Sequence, residues 1–261
     1  MDSSIIYYII SILVFIQSIL GIGILVLGTP IMLFLDYDMS EILGVLLPIS
    51  IFTSFINILI IQKFNYKNNY KKFTNFEIFL DKKTKYYFFV ICLPSVFVGL
   101  VMLKYFEEHF NFKIAVSIVI FLSLIIKIKF EKKIQLLSNF LKKIIFLLIG
   151  FTHGLTNSGG TLLSLFLSSL NKNFKNKSRI NITFFYMVLV SLQYLTYLIL
   201  FKNYLNFTWV LILILYTLFV SLIANYLIKF INENVLKKLI EIFALASSIV
   251  LFVDGMGFFN F

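Results

Sequence analysis

Hydrophobic residues form eight long runs along the chain, separated by short polar and basic connections. Six of the runs are uninterrupted, and each is close to the ~20 residues that a helix needs to cross a bilayer. These six runs cover residues 42–61, 86–103, 112–128, 180–200, 207–228 and 235–253. The pattern predicts an all-α polytopic membrane protein.

The other two runs, 5–34 and 141–170, are about thirty residues long and are interrupted near the middle by glycine and polar residues. Backbone groups that leave a helix inside hydrocarbon are costly unless protein or a wet cavity satisfies them. Each run is therefore either one long broken span or a re-entrant hairpin of two short limbs. Limbs of ~12–16 residues would reach only about 18–24 Å.

The composition places the chain in a membrane. Of 261 residues, 60% are hydrophobic and 13% are charged, and the mean hydropathy is +0.97, which excludes an ordinary soluble domain. The net charge of +11 lies in clusters between the apolar runs, so it does not indicate a nucleic-acid partner. Cys92 is the single cysteine, which excludes an intrachain disulfide and a cysteine metal site. We expect run 5–34 to be retained, because it lacks the basic flank and the cleavage site of a signal peptide.

Basic residues distinguish between the two interpretations of the broken runs. Connections 62–85, 127–143, 171–179 and 229–238 hold seven, six, four and three of them, whereas 35–41, 104–113 and 201–208 hold none, two and one. If both broken runs were full spans, the two sides of the membrane would carry 14 and 9 basic residues. If both are hairpins, the cytoplasmic side carries 20 and the outer side 3, as the positive-inside rule favours. The sequence therefore predicts two re-entrant hairpins.

This arrangement divides the chain into two membrane repeats. The first, residues 1–130, has hairpin 5–34 and helices 42–61, 86–103 and 112–128. The second, residues 131–261, has hairpin 141–170 and helices 180–200, 207–228 and 235–253. Because each hairpin is followed by an odd number of spans, the second half enters the membrane in the opposite orientation. We predict an inverted repeat of about eight membrane segments, with the two hairpin tips meeting near the midplane.

The break in the second hairpin carries the residues that most suggest a ligand site. A short helix beginning near residues 158–161 would present free N–H groups and the positive end of its dipole, which favours an anion. The predicted substrate-binding residues of this tip are Thr156, Asn157, Ser158, Gly159, Gly160 and Thr161. The alternative is close helix packing through small residues. His153 is a candidate for proton coupling or for pairing with the anion, or else it only bonds a neighbouring carbonyl.

The first half offers a weaker set of candidates. Gly28 and Thr29 are the counterpart of the second tip, with Pro30 either in a first helical turn or producing a simple kink. Three further polar residues share one face of the next helix, where they line the substrate cavity or merely bond helix to helix: Ser50, Thr53 and Asn57.

Other polar and aromatic residues carry less weight. The polar residues of run 180–200 that correspond to the Ser50 face are Asn181, Thr183 and Gln193. Phenylalanine and tyrosine are numerous, and we interpret them as lipid-facing bulk and interfacial residues, not as a ligand cage.

A series of short motifs extends over nearly the whole chain. In the first half these are Gly21-x-Gly23, Gly28-Thr29-Pro30, Leu47-Pro48-Ile49-Ser50 and Thr53-Ser54. They continue as Pro94-Ser95 with Gly99, Gly150-x3-Gly154-x4-Gly159-Gly160, and the run from Leu236 to Gly255. In this order they resemble the motifs of the sulfite exporter TauE/SafE (TSUP) permeases. The chain departs from the family pattern in its first-half glycine run, reduced to Gly21 and Gly23, and in Ser164 at a motif proline position.

The resemblance implies a multi-pass permease of a bacterial cell membrane that transports small anions, often sulfur-containing ones such as sulfite, thiosulfate or organosulfonates. It implies alternating access around the two glycine-rich hairpin tips. The expected partners are the lipid bilayer, the anion, and a coupling proton or sodium ion.

An intramembrane enzyme and an anion channel are the competing classes. An enzyme would need a constellation such as paired carboxylates or a nucleophile with a base, whereas the spans hold one histidine and one marginal glutamate. A channel would more naturally have symmetric pore helices than an inverted repeat. The sequence also lacks the G-x-x-x-x-G-K-[ST] motif of ATP-driven machines. We therefore predict no catalytic residues, metal site or cofactor.

Overall fold

The computed structural model describes residues 3–20, 24–67, 81–130, 137–170, 175–201, 207–227 and 233–258. Within these ranges the chain forms eleven α-helices. They are α1 Ser3–Leu20, α2 Ile24–Phe34, α3 Met39–Lys67, α4 Lys82–Tyr87, α5 Leu93–Phe106, α6 Phe112–Phe130, α7 Asn139–Thr156, α8 Gly160–Leu170, α9 Lys175–Leu200, α10 Phe207–Leu227 and α11 Glu233–Gly255. A π-helical turn, Phe88–Cys92, joins α4 to α5. The predicted all-helical class is thus confirmed for the described part of the chain.

The apolar runs account for the helices that face lipid. Four stretches in the described ranges are long and apolar enough to cross a membrane: Met39–Ile60, Lys82–Phe106, Ile180–Leu200 and Val210–Leu227. Tyr7–Ser18, Ile24–Phe34 and Phe112–Ile126 are apolar but shorter. Large apolar side chains such as Ile199 and Phe219 lie on the outside of the helix bundle, where they are 74% and 65% exposed. A soluble protein would bury such residues, so this surface fits a polytopic membrane protein.

Each interrupted run is divided into a long and a short helix. α1 and α7 have 18 residues each, whereas α2 and α8 have 11 each. At ~1.5 Å per residue, the long helices measure about 27 Å and the short ones about 16 Å. The expectation that both limbs are short, at ~12–16 residues each, is therefore wrong, because the first limb of each run is longer. Of these four helices, only α2 and α8 are far too short to cross a hydrocarbon core ~30 Å thick.

The bounds of the described helices recur at two intervals along the chain, 136 residues for the earlier helices of each half and 121 residues for the later ones. α7, α8 and α9 begin 136 residues after α1, α2 and α3, and the ends of α7 and α8 follow those of α1 and α2 by the same 136. α11 begins 121 residues after α6, and α10 ends 121 residues after α5. By position, α1–α3 thus correspond to α7–α9, the α4–α5 helix corresponds to α10, and α6 corresponds to α11.

Helices of the two halves pack against one another in matching pairs. α3 packs on α9 and α6 packs on α11, each helix lying against its own counterpart. α1 packs on α10 as α7 packs on α5, and α2 lies against α11 as α8 lies against α6. Within each half the short helix contacts the helix that follows it, α2 on α3 and α8 on α9. If each helix is replaced by its counterpart in the other half, every one of these contacts becomes a contact of the same set.

α5 and α7 approach one another backbone to backbone through glycine. A Cβ atom at Gly154 would overlap the Val96 carbonyl oxygen, and Gly154 also lies against the Cα atom of Gly99. One turn earlier, a Cβ atom at Gly150 would overlap the carbonyl oxygen of Cys92 in the π-helical turn. Gly150 and Gly154 therefore serve helix packing, as small residues often do between membrane helices.

Candidate functional site

Three residues separate α7 from α8 at the second break. Asn157 adopts left-handed backbone geometry, with φ of 60°, and its N–H donates to the His153 carbonyl oxygen at 2.9 Å. Asparagine tolerates this region better than most residues, so it can end α7 here. The hydroxyls of Thr156 and Ser158 lie 2.6 Å apart across the turn. α8 then begins at Gly160, so the prediction of a short helix starting within 158–161 is confirmed.

The start of α8 is partly capped by the turn itself. The Thr161 N–H donates to the Ser158 carbonyl oxygen at 3.2 Å, and the Leu163 N–H donates to that of Gly159 at 3.1 Å. The Thr161 hydroxyl also donates to Ser123 on α6 at 3.1 Å. These bonds hold the turn rigidly against α6 and α7.

Gly159 and Gly160 make close contacts of different kinds. A Cβ atom at Gly159 would overlap the Ile149 carbonyl oxygen and lie 2.7 Å from the His153 nitrogen, both backbone atoms of α7. A Cβ atom at Gly160 would lie 2.7 Å from Cε2 of the Tyr186 ring, which is a side chain. Gly159 is thus required by the fold of the turn, whereas Gly160 gives the Tyr186 ring its place at the start of α8.

His153 lies in the last turn of α7 and is completely buried. Neither ring nitrogen has a hydrogen-bond partner among the residues that the structure describes. The alternative reading, a bond from the imidazole to a neighbouring carbonyl, is therefore wrong. The ring packs edge-on to Tyr186 on α9, with ring centroids 6.1 Å apart. A buried imidazole without hydrogen-bond partners is costly.

Tyr186 on α9 lies beside His153 and was not revealed by the sequence. It is completely buried between the two halves, because its ring lies against Gly160 and its hydroxyl is directed towards Ser50 and the backbone of Leu25. The hydroxyl makes no hydrogen bond of good geometry to either. Leu25 is the second residue of α2, so Tyr186 lies between the starts of both short helices. Among so many aromatic residues, no local signal could have singled it out.

Gln193 completes this cluster from the same helix as Tyr186. Its side-chain nitrogen donates to the His153 carbonyl oxygen at 3.0 Å, while its Oε1 has no partner. Asn157 is similar, since its Nδ2 donates to the Thr29 hydroxyl at 3.0 Å and its Oδ1 is unpaired. We call His153, Asn157, Tyr186 and Gln193 the second-half cluster. All four are buried and all four retain unpaired polar atoms.

The first-half candidates are buried, but they are not all at a helix start. α2 begins at Ile24, so Gly28 and Thr29 lie inside the helix and Pro30 lies beyond its first turn. The placement of Pro30 in a first helical turn is therefore wrong. Gly28 packs against the side chains of Leu13 and Leu46. Thr29 alone reaches the second break, through Asn157.

Ser50 and Asn57 belong to a second polar group, centred on Gln17 of α1. Gln17 Nε2 donates to the Ser50 carbonyl and the Ser54 hydroxyl, both at 2.9 Å. Its Oε1 accepts from the Ser50 hydroxyl at 3.2 Å and from the Ile24 N–H at 3.3 Å. Asn57 Nδ2 in turn donates to the Gln17 backbone carbonyl at 3.4 Å. Thr53, on the same face, donates its hydroxyl to Ile49 of its own helix at 2.8 Å.

This Gln17 group extends to α10. Asn57 Oδ1 accepts from Asn225 Nδ2 at 2.7 Å and from the Ser221 hydroxyl at 3.4 Å. Ser18 and Ser221 hydroxyls lie 3.1 Å apart. Gln17, Ser221 and Asn225 were not foreseen, because each is an isolated polar residue within an apolar run. Of the other polar residues of α9, Asn181 and Thr183 are also fully buried.

The buried polar residues that the structure describes include no aspartate, glutamate, lysine or arginine. Within the described ranges no group of His, Cys, Asp and Glu could hold a metal ion. The second-half cluster therefore provides hydrogen-bonding groups without a formal countercharge. Such an arrangement can hold a small ion by hydrogen bonds in a low-dielectric interior. It does not itself supply a nucleophile with a base.

Comparison with known proteins gives one match. The family model TauE, sulfite exporter TauE/SafE, matches residues 7–251, which include both breaks and all eleven described helices in whole or in large part. No curated protein and no solved structure matches the chain.

Proposed function

Because the chain belongs to the sulfite exporter TauE/SafE family of membrane transporters, we propose that it is a secondary transporter of a small anion. Sulfite, thiosulfate and organosulfonates are the proposed substrates, and alternating access in the cell membrane is the proposed mechanism. The anion would be held at the α7–α8 turn, residues 156–161 with His153, facing Thr29, Ser50 and Asn57 of the first half.

The single observation that carries this proposal is the second-half cluster of buried, unpaired polar atoms beside a broken helix. A polar group buried without a partner costs about 1–3 kcal/mol. The Tyr186 hydroxyl and a protonated ring nitrogen of His153 are donors that an anion would satisfy, which explains their burial better than packing does. The unpaired oxygens of Asn157 and Gln193 only accept, so they would bond to a hydrogen carried by the ligand and not to the anionic oxygens. Their burial corresponds to an occluded state, from which the anion is released when helices of the two halves move apart.

The recurring spacing of the helix boundaries supports the proposed inverted repeat. Equivalent helices recur in the same order in both halves. Most contacts made by a helix of one half are also made by the equivalent helix of the other half, as a two-fold axis between the halves would produce. Transporters of this kind bind substrate at the interface of the repeats, near discontinuous helices. α2 and α8 are the discontinuous helices here, and they contact one another.

Contacts at the basic-poor end of the helices support the hairpin topology. Lys113, at the start of α6, forms ion pairs with Asp36 at 2.6 Å and with Asp254, near the end of α11, at 2.7 Å. If both broken runs were full spans, the end of α11 would lie on the opposite side from the α5–α6 turn. Tyr197, near the end of α9, is also close enough to Glu41 and Glu107 to feel their charge. Two hairpins bring all of these ends to one side.

Cysteine labelling tests this topology in a Cys92→Ala background. In both arrangements Lys143→Cys and Glu108→Cys lie on opposite sides and serve as references. With two hairpins, Met256→Cys should react with an impermeant thiol reagent from the side of Glu108, and Lys238→Cys from the side of Lys143. The reverse result for both positions would establish full spans and refute the hairpin model.

Transport by purified protein in proteoliposomes tests the function. We expect uptake of labelled sulfite driven by an ion gradient, and its loss in Gly160→Val, where the branched side chain would displace Tyr186. Gly255→Ala, at the far end of α11, is the matched control and should transport normally. A channel would instead conduct the anion passively at high rates, and absence of any anion flux in the wild type would refute the proposal.

A further inference from the structure

The two polar groups of the structure occupy equivalent positions in the two halves. At the interval of 136 residues that relates α1–α3 to α7–α9, the equivalent pairs are Gln17 and His153, Ser50 and Tyr186, Asn57 and Gln193, and Ile24 and Gly160. One contact is preserved: Asn57 donates to the backbone carbonyl of Gln17, as Gln193 donates to that of His153. The equivalence therefore holds for side chains as well as for helix boundaries.

The two groups differ in how many of their buried polar atoms have hydrogen-bond partners. In the first half, both polar atoms of the Gln17 carboxamide are bonded, to Ser50, Ser54 and the first N–H of α2. Asn57 Oδ1 is bonded by Asn225. In the second half, the described residues provide no hydrogen-bond partner for either ring nitrogen of His153, for the Tyr186 hydroxyl or for Gln193 Oε1.

The difference follows from side-chain size and chemistry. The Gln17 carboxamide reaches the start of α2 and places an oxygen at the Ile24 N–H, 3.3 Å away. An oxygen at a helix start is what a bound oxyanion would also supply. The shorter, ring-shaped His153 has no such contact with α8, and Gly160 at the equivalent position leaves room that the Tyr186 ring enters.

We propose that the chain binds one anion, at the second-half cluster of His153, Asn157, Tyr186 and Gln193, and that the Gln17 carboxamide takes the anion's place in the first half. Tyr186 is then a substrate-binding residue that donates to the anion, Gln193 is a positioning residue through its bond to the His153 carbonyl oxygen, and Gln17 is a structural one. This inference rests on the proposed anion transport, and it narrows the site from two hairpin tips to one. Buried polar groups that already satisfy one another gain nothing from a ligand, whereas unpaired ones do.

Calorimetric titration of the purified full chain with sodium sulfite tests the inference. We expect one sulfite per chain and a loss of affinity of roughly tenfold or more in Tyr186→Phe, since hydrogen bonds to charged groups are worth about 1.5–3 kcal/mol. Gln193→Leu removes the bond that positions His153 but no donor to the anion, so its affinity should fall by less than that of Tyr186→Phe. Tyr197→Phe removes a hydroxyl from the same helix at another buried position, and its affinity should stay within about twofold of the wild type, because it lies outside the cluster.

Gln17→Met provides the converse measurement. It should lower the melting temperature, because Ser50, Ser54 and Ile24 lose their partner, yet the folded variant should bind sulfite with unchanged affinity. Two sulfites per chain, unchanged affinity in both Tyr186→Phe and Gln193→Leu, or selective loss of binding in Gln17→Met would each overturn the single-site inference while leaving anion transport intact. A wild type that binds neither sulfite, thiosulfate nor sulfoacetate would refute the proposed function and this inference together.

Discussion

The glycines of the second break should respond to alanine in two distinct ways. In Gly154→Ala the new methyl group would overlap the Val96 carbonyl oxygen and lie 2.9 Å from the Leu100 nitrogen, where ordinary contact begins at 3.4 Å. Backbone atoms cannot rotate away, so α5 and α7 must move apart. Overpacking of this kind costs about 1–3 kcal/mol, and the backbone neighbours favour the upper part of that range.

Gly160→Ala should act on the site and much less on the fold. Its methyl group would lie 2.7 Å from the Tyr186 ring edge, and the other ring atoms are at 3.4 Å or farther. A side chain can tilt to make room, so the cost in stability should be about 1 kcal/mol or less. The tilt moves the Tyr186 hydroxyl, so sulfite affinity should fall severalfold in Gly160→Ala and stay unchanged in Gly154→Ala.

Denaturant unfolding in detergent micelles and sulfite calorimetry measure the two effects separately. Gly28→Ala is the matched control for stability, because its methyl group would meet only the side-chain ends of Leu13 and Leu46, both 2.9 Å away. Its loss should be smaller than that of Gly154→Ala. If Gly160→Ala lost as much stability as Gly154→Ala while binding sulfite normally, both glycines would be packing residues and the assignment of the site would be refuted.

Three further results are expected. Asn157→Ala should lose about 2 kcal/mol of unfolding free energy and Asn157→Gly about 1, because only alanine adds left-handed strain to the lost Thr29 bond; equal losses on chemical unfolding would contradict the role of the backbone geometry. His153→Gln cannot titrate, so proton uptake coupled to sulfite uptake, measured with a pH-sensitive dye in proteoliposomes, should disappear, whereas persistent coupling would point to sodium or another group. Lys113→Met should lose more stability than Asp36→Asn, because Lys113 also pairs with Asp254, whose side chain is only 15% exposed, whereas that of Asp36 is 80% exposed; equal losses on chemical unfolding would contradict the greater weight of the Asp254 pair.

The sequence alone determined the class of protein and the places where helices break. Apolar runs of membrane length must become helices in hydrocarbon, because no other element except a closed barrel satisfies its own backbone. The polar and glycine residues at 150–161 likewise marked the second break, and α8 begins where the helix-start signals predicted. Family membership followed from the order of the motifs. All of these are local properties, carried by neighbouring residues.

Side-chain pairing was decided only by the tertiary structure. Asn157 bonds Thr29, 128 residues away, and Asn57 bonds Asn225, 168 residues away. No periodicity within one helix indicates such partners. The sequence correctly placed Ser50 and Asn57 on one helix face. For the same reason, it could not show that their polar atoms are paired while those of the second-half cluster are not.

Tyr186 illustrates this limit most clearly. With 14 tyrosines and 32 phenylalanines in the chain, an aromatic residue in a membrane span is most simply lipid-facing or interfacial. Whether a given ring faces lipid or the protein interior depends on which helices surround it and how closely they pack. Tyr186 is buried because α9 packs on α3 and α8, and Gly160 leaves space for its ring. Hydropathy measures the preference of a side chain for an apolar environment, and both lipid and the protein core provide one.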